Sequence, residues 1–530
     1  MKKTLSLLLA LVLAASLLAA ASAEAAEPKD TWLCDEKTTL TVMCDEGASN
    51  TMPPPTNDLP FWAWLEEATN VHVEWEVIPG DYNEVLSARL SAGEDLADVT
   101  VIGDSTMLRN AGNNGLILDL ADYYGEEYTP NLVAYFANDP MDYQTLITTP
   151  EGNIWGLYGT INPSENRITA LYNHEWMEKI GAAIPTTLDE FYDLLVKIKE
   201  AGDLNGNGEA DEIPLSSAST SNVVDWIGTA FNMHTYEGGN YFIADEEGKI
   251  FDQRLTEEQK NTFLFIHKLF EEGLLDSEIC EMGYTEMSQK NAADRVGVMI
   301  MYSSFSPAYG AMTVYGADDP LGEHLSVGPS LKSEYNGQQA LMYRNENLGG
   351  AAAVSADSKN KELAIRWLDF LIASEPALTT RCWGFEGETF EYDAEGKKVL
   401  IQPADGGKWN INPLGCGQIP LPHLQTDEQL QNPDSNLPWY IDQCNELKAV
   451  CTWYGPDVPD VQWTDAEEEL NSMSSTDVKT YWKEMRNKFI KGDEDIEAVW
   501  DTYVETMWKL GEQNLIDSYQ SVYDRTVGAK

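Results

Sequence analysis

Apolar and polar positions alternate along the chain with helical and strand spacing in turn. Residues 38–47 (TTLTVMCDEG) read as a strand, the stretch FWAWLEEATN has the spacing of a helix, and VHVEWEVIP alternates like a strand. The next stretch, YNEVLSARLSAGEDLADVTVIGD, repeats the order helix then strand. Such alternation predicts α/β lobes with largely parallel sheets.

The clearest helix spans 185–203 (PTTLDEFYDLLVKIKEAGD). Thr187 and Glu190 have the spacing of a capping box, an apolar stripe runs from Leu188 to Ile198, and Gly202 provides the stop. Gly396 to Val461 is rich in Pro, Gly, Asn, Trp and Tyr without periodicity, which predicts long surface loops. The remaining pattern predicts a buried strand at 295–304 and helices at 256–273, 360–375, 476–492 and 495–511.

The segment DLNGNGEADEIP (203–214) collects oxygen donors directly after that helix. Its spacing matches the start of an EF-hand calcium loop, with a glycine, Gly208, at the sixth position. The last position is Pro214, so the bidentate carboxylate has to come from Glu212, and no second helix follows at once. We expect a structural Ca²⁺ site; the alternative is an Asx- and Gly-rich turn without an ion. The predicted ligands are Asp203, Asn205, Asn207, Glu209 through its carbonyl, Asp211 and Glu212.

The first residues predict export. Two lysines, an apolar run and Ala21-Ser22-Ala23 indicate a signal peptide at 1–23 and a leader at 24–37, with an uncleaved membrane anchor as the alternative. The formal charge of −54 is spread along the chain, which excludes nucleic acid and anionic membranes as partners. It also favours a neutral ligand over an acidic one.

Cysteine and histidine spacing gives no zinc site. The seven cysteines include no CxxC pair and the six histidines show no HxxxH spacing. Cys444 and Cys451 are close enough in sequence to pair if oxidised, which spacing alone does not decide. Cys34 follows Thr-Trp-Leu, which is not a lipobox.

The segment HEWMEKIGAAIPTTLDEFYDLLVKIKEAGDLNGNGEADEIPLS resembles the family 1 extracellular solute-binding proteins of ABC importers, including alginate- and maltodextrin-binding members. Further landmarks resemble the family in the same order along the chain. They are GNIWGLYG, FEEGLLD, RVGVMI, GGAAAVSADSKNKELAIRWLDFL, WGFEGETFEYDAEGKK and the C-terminal KFIKGDEDIEAVWDTYVETMWKLGEQNLIDSYQSVYDR. The chain departs from the family in lacking a lipobox, which leaves its anchoring open.

The resemblance implies a two-lobed periplasmic-binding-protein-like clamshell of class II topology, with hinge crossovers and ligand in the cleft. Lobe one would hold 38–165 and 332–385, and lobe two 166–331 and 386–530. The implied protein is a monomer that binds a sugar or oligosaccharide and delivers it to ABC permease subunits. It would be extracellular, associated with the cell surface, or periplasmic.

A sugar cleft needs aromatic platforms beside polar partners. Many aromatic residues lie where the family places cleft loops, and Asp45 and Asp104 lie at the ends of predicted strands. The alternative for each is an ordinary core or surface role. The predicted ligand-binding residues are Trp155, Trp226, Tyr302, Trp409, Trp439, Trp453, Asp45 and Asp104, with Tyr440, Tyr454 and Trp463 in the same loop region as further aromatic candidates.

A secreted polysaccharide-degrading enzyme, a glycosidase or polysaccharide lyase that uses two carboxylates, is the rival class. Glu386 and Glu388 are a candidate carboxylate pair, but residues at i and i+2 on a strand point to opposite faces. The sequence also lacks GxSxG and HExxH motifs. We therefore predict a binding protein and no catalysis, with a secreted carbohydrate-binding sensor or adhesion protein as the alternative.

Overall fold

The structure is a computed structural model. It describes residues 29–46, 53–93, 96–137, 141–160, 168–234, 241–343, 348–401, 411–416, 419–426, 437–454, 457–459 and 461–527. The predicted signal peptide and Trp409 lie outside these residues. No helix within the described ranges is long and apolar enough to cross a membrane.

The strands are β1 Thr38–Asp45, β2 Val71–Ile78, β3 Val99–Ile102, β4 Leu157–Thr160, β5 Ile168–Asn173, β6 Ile213–Ser217, β7 Phe242–Ala244, β8 Ile250–Asp252, β9 Val296–Tyr302, β10 Leu325–Val327, β11 Leu341–Tyr343, β12 Leu348–Val354, β13 Phe390–Tyr392, β14 Lys398–Leu400 and β15 Thr452–Tyr454. The α-helices are Pro60–Thr69, Tyr82–Ala92, Ser105–Asn113, Pro130–Phe136, Tyr143–Ile147, His174–Ile180, Leu188–Ala201, Thr220–Gly228, Glu257–Glu271, Tyr284–Ala292, Phe305–Ala311, Lys361–Ala373, Glu375–Trp383, Pro438–Val450, Asp465–Lys491, Ile496–Lys509 and Glu512–Thr526.

Two mixed sheets form the centres of the two lobes. The first has the order β2-β1-β3-β12-β4 and the second the order β10-β5-β9-β6. The chain leaves the first sheet after β4, builds the second, and returns to the first at β12. This path between two α/β bodies confirms the predicted clamshell.

The prediction of largely parallel sheets is wrong in part. β1 runs parallel to β2 and β3, but β12 is antiparallel to both β3 and β4. In the second sheet β5 is antiparallel to β9 and β10, and only β6 with β9 is parallel. β12 enters from the other lobe, so no local strand-helix-strand crossover fixes its direction.

Each sheet has its own hydrophobic core. The first core packs Leu40, Phe61 and Trp367 around sheet one. The second packs Trp176 and Leu215 with the C-terminal helices, as shown by the buried side chains Trp482, Trp500 and Tyr503. The C-terminal helices therefore share the core of the second sheet.

One segment packs differently from the predicted boundaries. The sequence assigned 386–530 to lobe two, but Ile411, Leu421 and Leu424 are buried in the first core. The backbone N–H of Thr160, at the end of β4, donates to the carbonyl of His423 at 3.1 Å. The segment thus extends the edge of sheet one, a pairing that its sequence pattern does not reveal.

Most predicted helices are confirmed, with two exceptions. The capping box of Thr187 and Glu190 opens the helix Leu188–Ala201 as expected. The helix expected at 476–492 begins earlier, at Asp465, and the region predicted as loops contains the helix Pro438–Val450. The added turns from Asp465 are mostly polar, so periodicity gives no signal there. Pro438–Val450 buries Tyr440, Cys444 and Leu447 at helical spacing, a signal that the loop-like composition around it obscures.

Candidate functional site

A pocket of about 480 Å³ lies where the two lobes meet. One wall follows the end of β3 and the first turn of the helix Ser105–Asn113, which packs on sheet one. The opposite wall is the first part of the helix Asp465–Lys491 and the residues before it. The lining residues are Gly103, Ser105, Thr106, Tyr158, Leu348, Gly349, Val461, Gln462, Trp463, Glu468, Asn471, Ser472 and Ser475.

The lining is polar and carries hydroxyl and amide groups from both lobes. Ser105 and Thr106 line it from the helix on sheet one, and Asn471, Ser472 and Ser475 line it from the helix Asp465–Lys491. Trp463 and Tyr158 add aromatic surface, although Tyr158 is itself mostly buried. Among the described lining residues Glu468 is the sole ionisable acid, and there is no Lys, Arg or His. Such a wall offers hydrogen bonds and a ring face without a counter-ion for an anionic ligand.

Local interactions fix the Trp463 side of the pocket. The next residue, Thr464, caps the helix Asp465–Lys491 in a capping box with Glu467. Burial raises the pKa of the Glu467 carboxyl, but the hydrogen bonds from Arg525 at 2.9 Å, from the Thr464 N–H and from Ser521, together with the Arg525 charge, outweigh it and leave the pKa below its usual range. The Trp463 ring stands edge-on to Tyr519, with centroids 5.0 Å apart. The indole is therefore held at a defined angle beside the pocket.

The structure places Trp226 in a hydrophobic core, contrary to the cleft prediction. It is 3% exposed and packs edge-on against Phe191 at 5.3 Å. A side chain enclosed on all sides cannot offer a ring face to a sugar. Tyr440, one of the further aromatic candidates, is also fully buried.

Trp155 packs against the core of lobe one and is not among the residues that line the pocket. Its ring lies against Gly112, so close that a Cβ added there would be 2.2 Å from Trp155 Cδ2. The indole thus fills the space that a glycine leaves on the helix Ser105–Asn113. Its part in ligand binding stays a prediction.

Three further predicted aromatics form a separate group near the end of sheet two. Tyr302 is half-buried and stands edge-on to Phe305 at 5.6 Å. Trp439 donates from Nε1 to the Leu321 carbonyl at 3.1 Å, and Trp453 lies on β15. None of them is among the residues that line the pocket, so their cleft role remains a prediction. Trp409, which the sequence also predicts for the cleft, lies outside the described residues.

The two predicted acids end strands as expected. Asp45 is the last residue of β1. Asp104 caps the helix Ser105–Asn113, with its side chain accepting from the backbone N–H of Met107 at 2.7 Å. Asp104 lies between two lining residues, Gly103 and Ser105, but does not line the pocket itself. The structure therefore assigns it a helix-capping role.

Sequence reasoning did not single out Tyr158, Thr106, Glu468, Asn471 or the serines of the long helix. These residues are distant in sequence and meet only through the fold. A usable signal was present at Thr464 and Glu467, whose spacing is that of a capping box. It would have extended the predicted helix to the residue after Trp463.

The loop 203–212 is organised by its own side chains. Asp203 accepts from the backbone N–H of Gly208 at 3.0 Å, and Asn205 accepts from that of Asn207 at 3.0 Å. Asn207 in turn accepts from the N–H of Glu209 at 2.7 Å. Gly206 and Gly208 have φ of +78° and +89°, which an L side chain rarely adopts.

The two acids at the end of the loop contact the loop itself and the side chain of Arg295. Asp211 accepts from the amides of Asn205 and Asn207, and the Arg295 guanidinium lies 2.7 Å from its second oxygen. Burial raises the pKa of Asp211, but the two amide hydrogen bonds bring it below its ordinary value. Glu212 Oε2 is buried and has no hydrogen-bond partner.

These donors fit the chemistry of a hard cation in part. Carboxylate and amide oxygens are the ligands that Ca²⁺ prefers. A buried carboxylate oxygen without a hydrogen-bond partner is a site where a bound cation would compensate the buried charge. No group of three or more His, Cys, Asp or Glu side chains in the described ranges is arranged to hold a metal ion. The loop depends on two asparagines and a carbonyl to complete a ligand set.

The fold and the pocket define a class: a two-lobed α/β protein with a polar pocket between its lobes. Residues 50–377 match the family of bacterial extracellular solute-binding proteins. The chain belongs to this family.

Known relatives cover almost the whole chain. The fructooligosaccharide ABC transporter substrate-binding protein FusA of Streptococcus pneumoniae is 26% identical over 520 residues, which is 93% of this chain and 92% of FusA. Solved structures of FusA in complex with kestose, and of a FusA EF-hand mutant in complex with fructo-nystose, each have a TM-score of 0.72 at 24% identity. They cover 93% of this chain and 100% of theirs.

A second solved relative has the same architecture. The alginate-binding protein AlgQ2, solved without calcium ion, has a TM-score of 0.69 at 20% identity and covers 94% of this chain and 100% of its own. At these identities the structural likeness establishes the fold, and the two-lobed clamshell is confirmed.

Proposed function

We propose that this protein is the extracytoplasmic substrate-binding component of an ABC importer, and that it binds a neutral oligosaccharide between its lobes. The observation that carries the proposal is the pocket at Trp463, which both lobes line with hydroxyl and amide groups. Sugars present fixed hydroxyls and apolar C–H faces, which such a wall can bind and stack. FusA, whose name assigns it to fructooligosaccharides, supports the same class of ligand.

The ligand we propose is uncharged. No described residue that lines the pocket carries a positive charge that could bind a uronate. The charge of −54 on the whole chain acts in the same direction at long range.

Thermal shift with matched oligosaccharides tests the proposal. Neutral chains such as fructooligosaccharides should raise the melting temperature in a saturable way, and oligouronates of equal length should not. The saccharide recovered after incubation should show no new reducing ends, because a binding protein leaves its ligand unchanged. A shift with oligouronates alone would contradict the neutral ligand class, and new reducing ends would contradict a pure binding role.

We also propose that the loop 203–212 binds a structural Ca²⁺. Asp203, Asn205, Asn207, the Glu209 carbonyl, Asp211 and Glu212 would hold it, and it would neutralise acids that otherwise repel one another. The unpartnered buried oxygen of Glu212 supports this assignment. The structures of a FusA EF-hand mutant and of AlgQ2 without calcium ion are consistent with it.

Export and partners follow from the same function. We propose that residues 1–23 are a signal peptide and that the mature protein works as a monomer outside the cytoplasmic membrane. There it would deliver ligand to ABC permease subunits. We also propose that 411–424 belong to lobe one, because their apolar side chains are buried in its core. The other predicted boundaries are kept.

A further inference from the structure

Arg109 reaches from lobe one to lobe two. It lies on the helix Ser105–Asn113, whose Leu108 is buried in the first core. Its guanidinium donates to Glu468 Oε1 at 2.5 Å through Nη1 and to Glu468 Oε2 through Nη2. Nη1 also donates to the carbonyl of Trp463 at 3.2 Å.

The partners of Arg109 are fixed to the other core. Glu468 is in the first turns of the helix Asp465–Lys491, which buries Val478 and Trp482 in the second core. Trp463 packs against that core as well. The Arg109 interaction therefore joins elements that belong to two separate hydrophobic cores.

The geometry makes this pair stronger than an ordinary surface ion pair. Arg109 binds both oxygens of one carboxylate, and only 11% of its side chain is exposed, against 24% for Glu468. Bidentate charge-assisted hydrogen bonds of this kind are stronger and more specific than single ones. Asp465 lies 3.1 Å from Nε but is 82% exposed, so solvent screens it.

The pair also forms part of the pocket. Glu468 is a lining residue, and it accepts a further hydrogen bond from the Thr106 hydroxyl of lobe one at 3.3 Å. When the lobes separate, Glu468 loses its partners on lobe one, Arg109 and Thr106. The pocket then holds an uncompensated carboxylate and has lost one wall.

We propose that Arg109 couples ligand binding to lobe closure, by binding Glu468 across the cleft and neutralising the one acid among the described residues that line the pocket. This inference rests on the proposed function, since it concerns the same pocket. Closure and saccharide affinity then share one ionic contact. Both should weaken at high salt, because screening reduces the attraction that brings the charges together.

Two single variants and their combination test the Arg109–Glu468 contact. Arg109→Met keeps the length and apolar stem of the side chain, and Glu468→Gln keeps the shape of its partner. Each should weaken saccharide binding by roughly tenfold or more, since the closed form loses a charge-assisted pair. Each should also increase the radius of gyration of the ligand-free protein in small-angle X-ray scattering. The double variant should bind saccharide about as weakly as the single variants, because all three lack the same contact.

Arg89→Met is the matched control. Arg89 pairs with Glu76 inside lobe one, so its loss should leave affinity and radius of gyration at the wild-type values. The proposal is overturned if Arg109→Met has the saccharide affinity and the radius of gyration of the wild type. It is also overturned if the double variant regains full affinity, since charge neutralisation alone would then explain the single variants. If the wild type binds no saccharide, the proposed function fails. The radius of gyration of the ligand-free variants then still tests whether the Arg109–Glu468 contact holds the lobes together.

Discussion

Glu212 closes the acidic loop back onto its first residues, because its Oε1 accepts the backbone N–H of Leu204 at 2.6 Å. The same oxygen lies 3.3 Å from the N–H of Asn205, while Oε2 is buried without a partner. One oxygen thus fixes the loop and the other is available to a cation. This arrangement makes Glu212 the most informative position for testing calcium binding.

Calcium should stabilise the wild type and not Glu212→Gln. Ca²⁺ at 100 times its dissociation constant would add about 2.7 kcal/mol to the free energy of unfolding, and a chelator would remove it. The melting temperature with calcium and with chelator measures this difference. Glu209→Gln is the control, since the predicted ligand there is a backbone carbonyl, and it should keep the calcium response. A wild-type melting temperature that calcium does not change would contradict the site.

Trp226→Ala should cost stability. Removing a buried indole from the core of lobe two leaves a cavity, and we expect a loss of about 3–5 kcal/mol in the free energy of unfolding. Denaturant unfolding measures it. A variant as stable as the wild type that has lost saccharide binding would restore Trp226 to the cleft.

His324 should make stability depend on pH. Burial lowers the pKa of this imidazole, but its hydrogen bonds to Glu175 and to the Asp319 carbonyl outweigh burial and leave the pKa raised. A raised folded-state pKa gives stability that is complete below the unfolded value and is lost as pH rises through the folded value.

The variant His324→Gln removes the charge that Glu175 stabilises. Its deficit in unfolding free energy relative to the wild type should therefore be larger at about pH 5.5 than at about pH 8.5. Denaturant unfolding at the two pH values provides the comparison. An equal deficit at both would contradict the assigned role of the Glu175 contact.

The fold was largely predictable because its strongest signals are local. Trp176, Trp367, Trp482 and Trp500 occupy helical stripes, a spacing that favours burial, and all four are buried. Trp508 shares that spacing but is 43% exposed, since a helical stripe does not reveal where the neighbouring element ends.

The pocket was less predictable because it is assembled from distant segments. One side is lined by residues of lobe one, namely Gly103, Ser105, Thr106, Tyr158, Leu348 and Gly349, and the other by Val461, Gln462, Trp463, Glu468, Asn471, Ser472 and Ser475. Of the lining residues, the sequence indicates only Trp463, as one of several aromatic candidates in a loop region. The contact between Arg109 and Glu468 spans 359 positions in sequence, and neither residue has a local motif.

Isothermal titration calorimetry with a neutral oligosaccharide tests the central claim most directly, using the wild type, Trp463→Ala, and Trp508→Ala as an exposed tryptophan outside the pocket. We predict saturable binding by the wild type and by Trp508→Ala. Trp463→Ala should bind at least about fivefold more weakly, because aromatic contacts of this kind contribute roughly 1 kcal/mol or more. Equal affinity for all three proteins, or saccharide binding by none, would contradict the account.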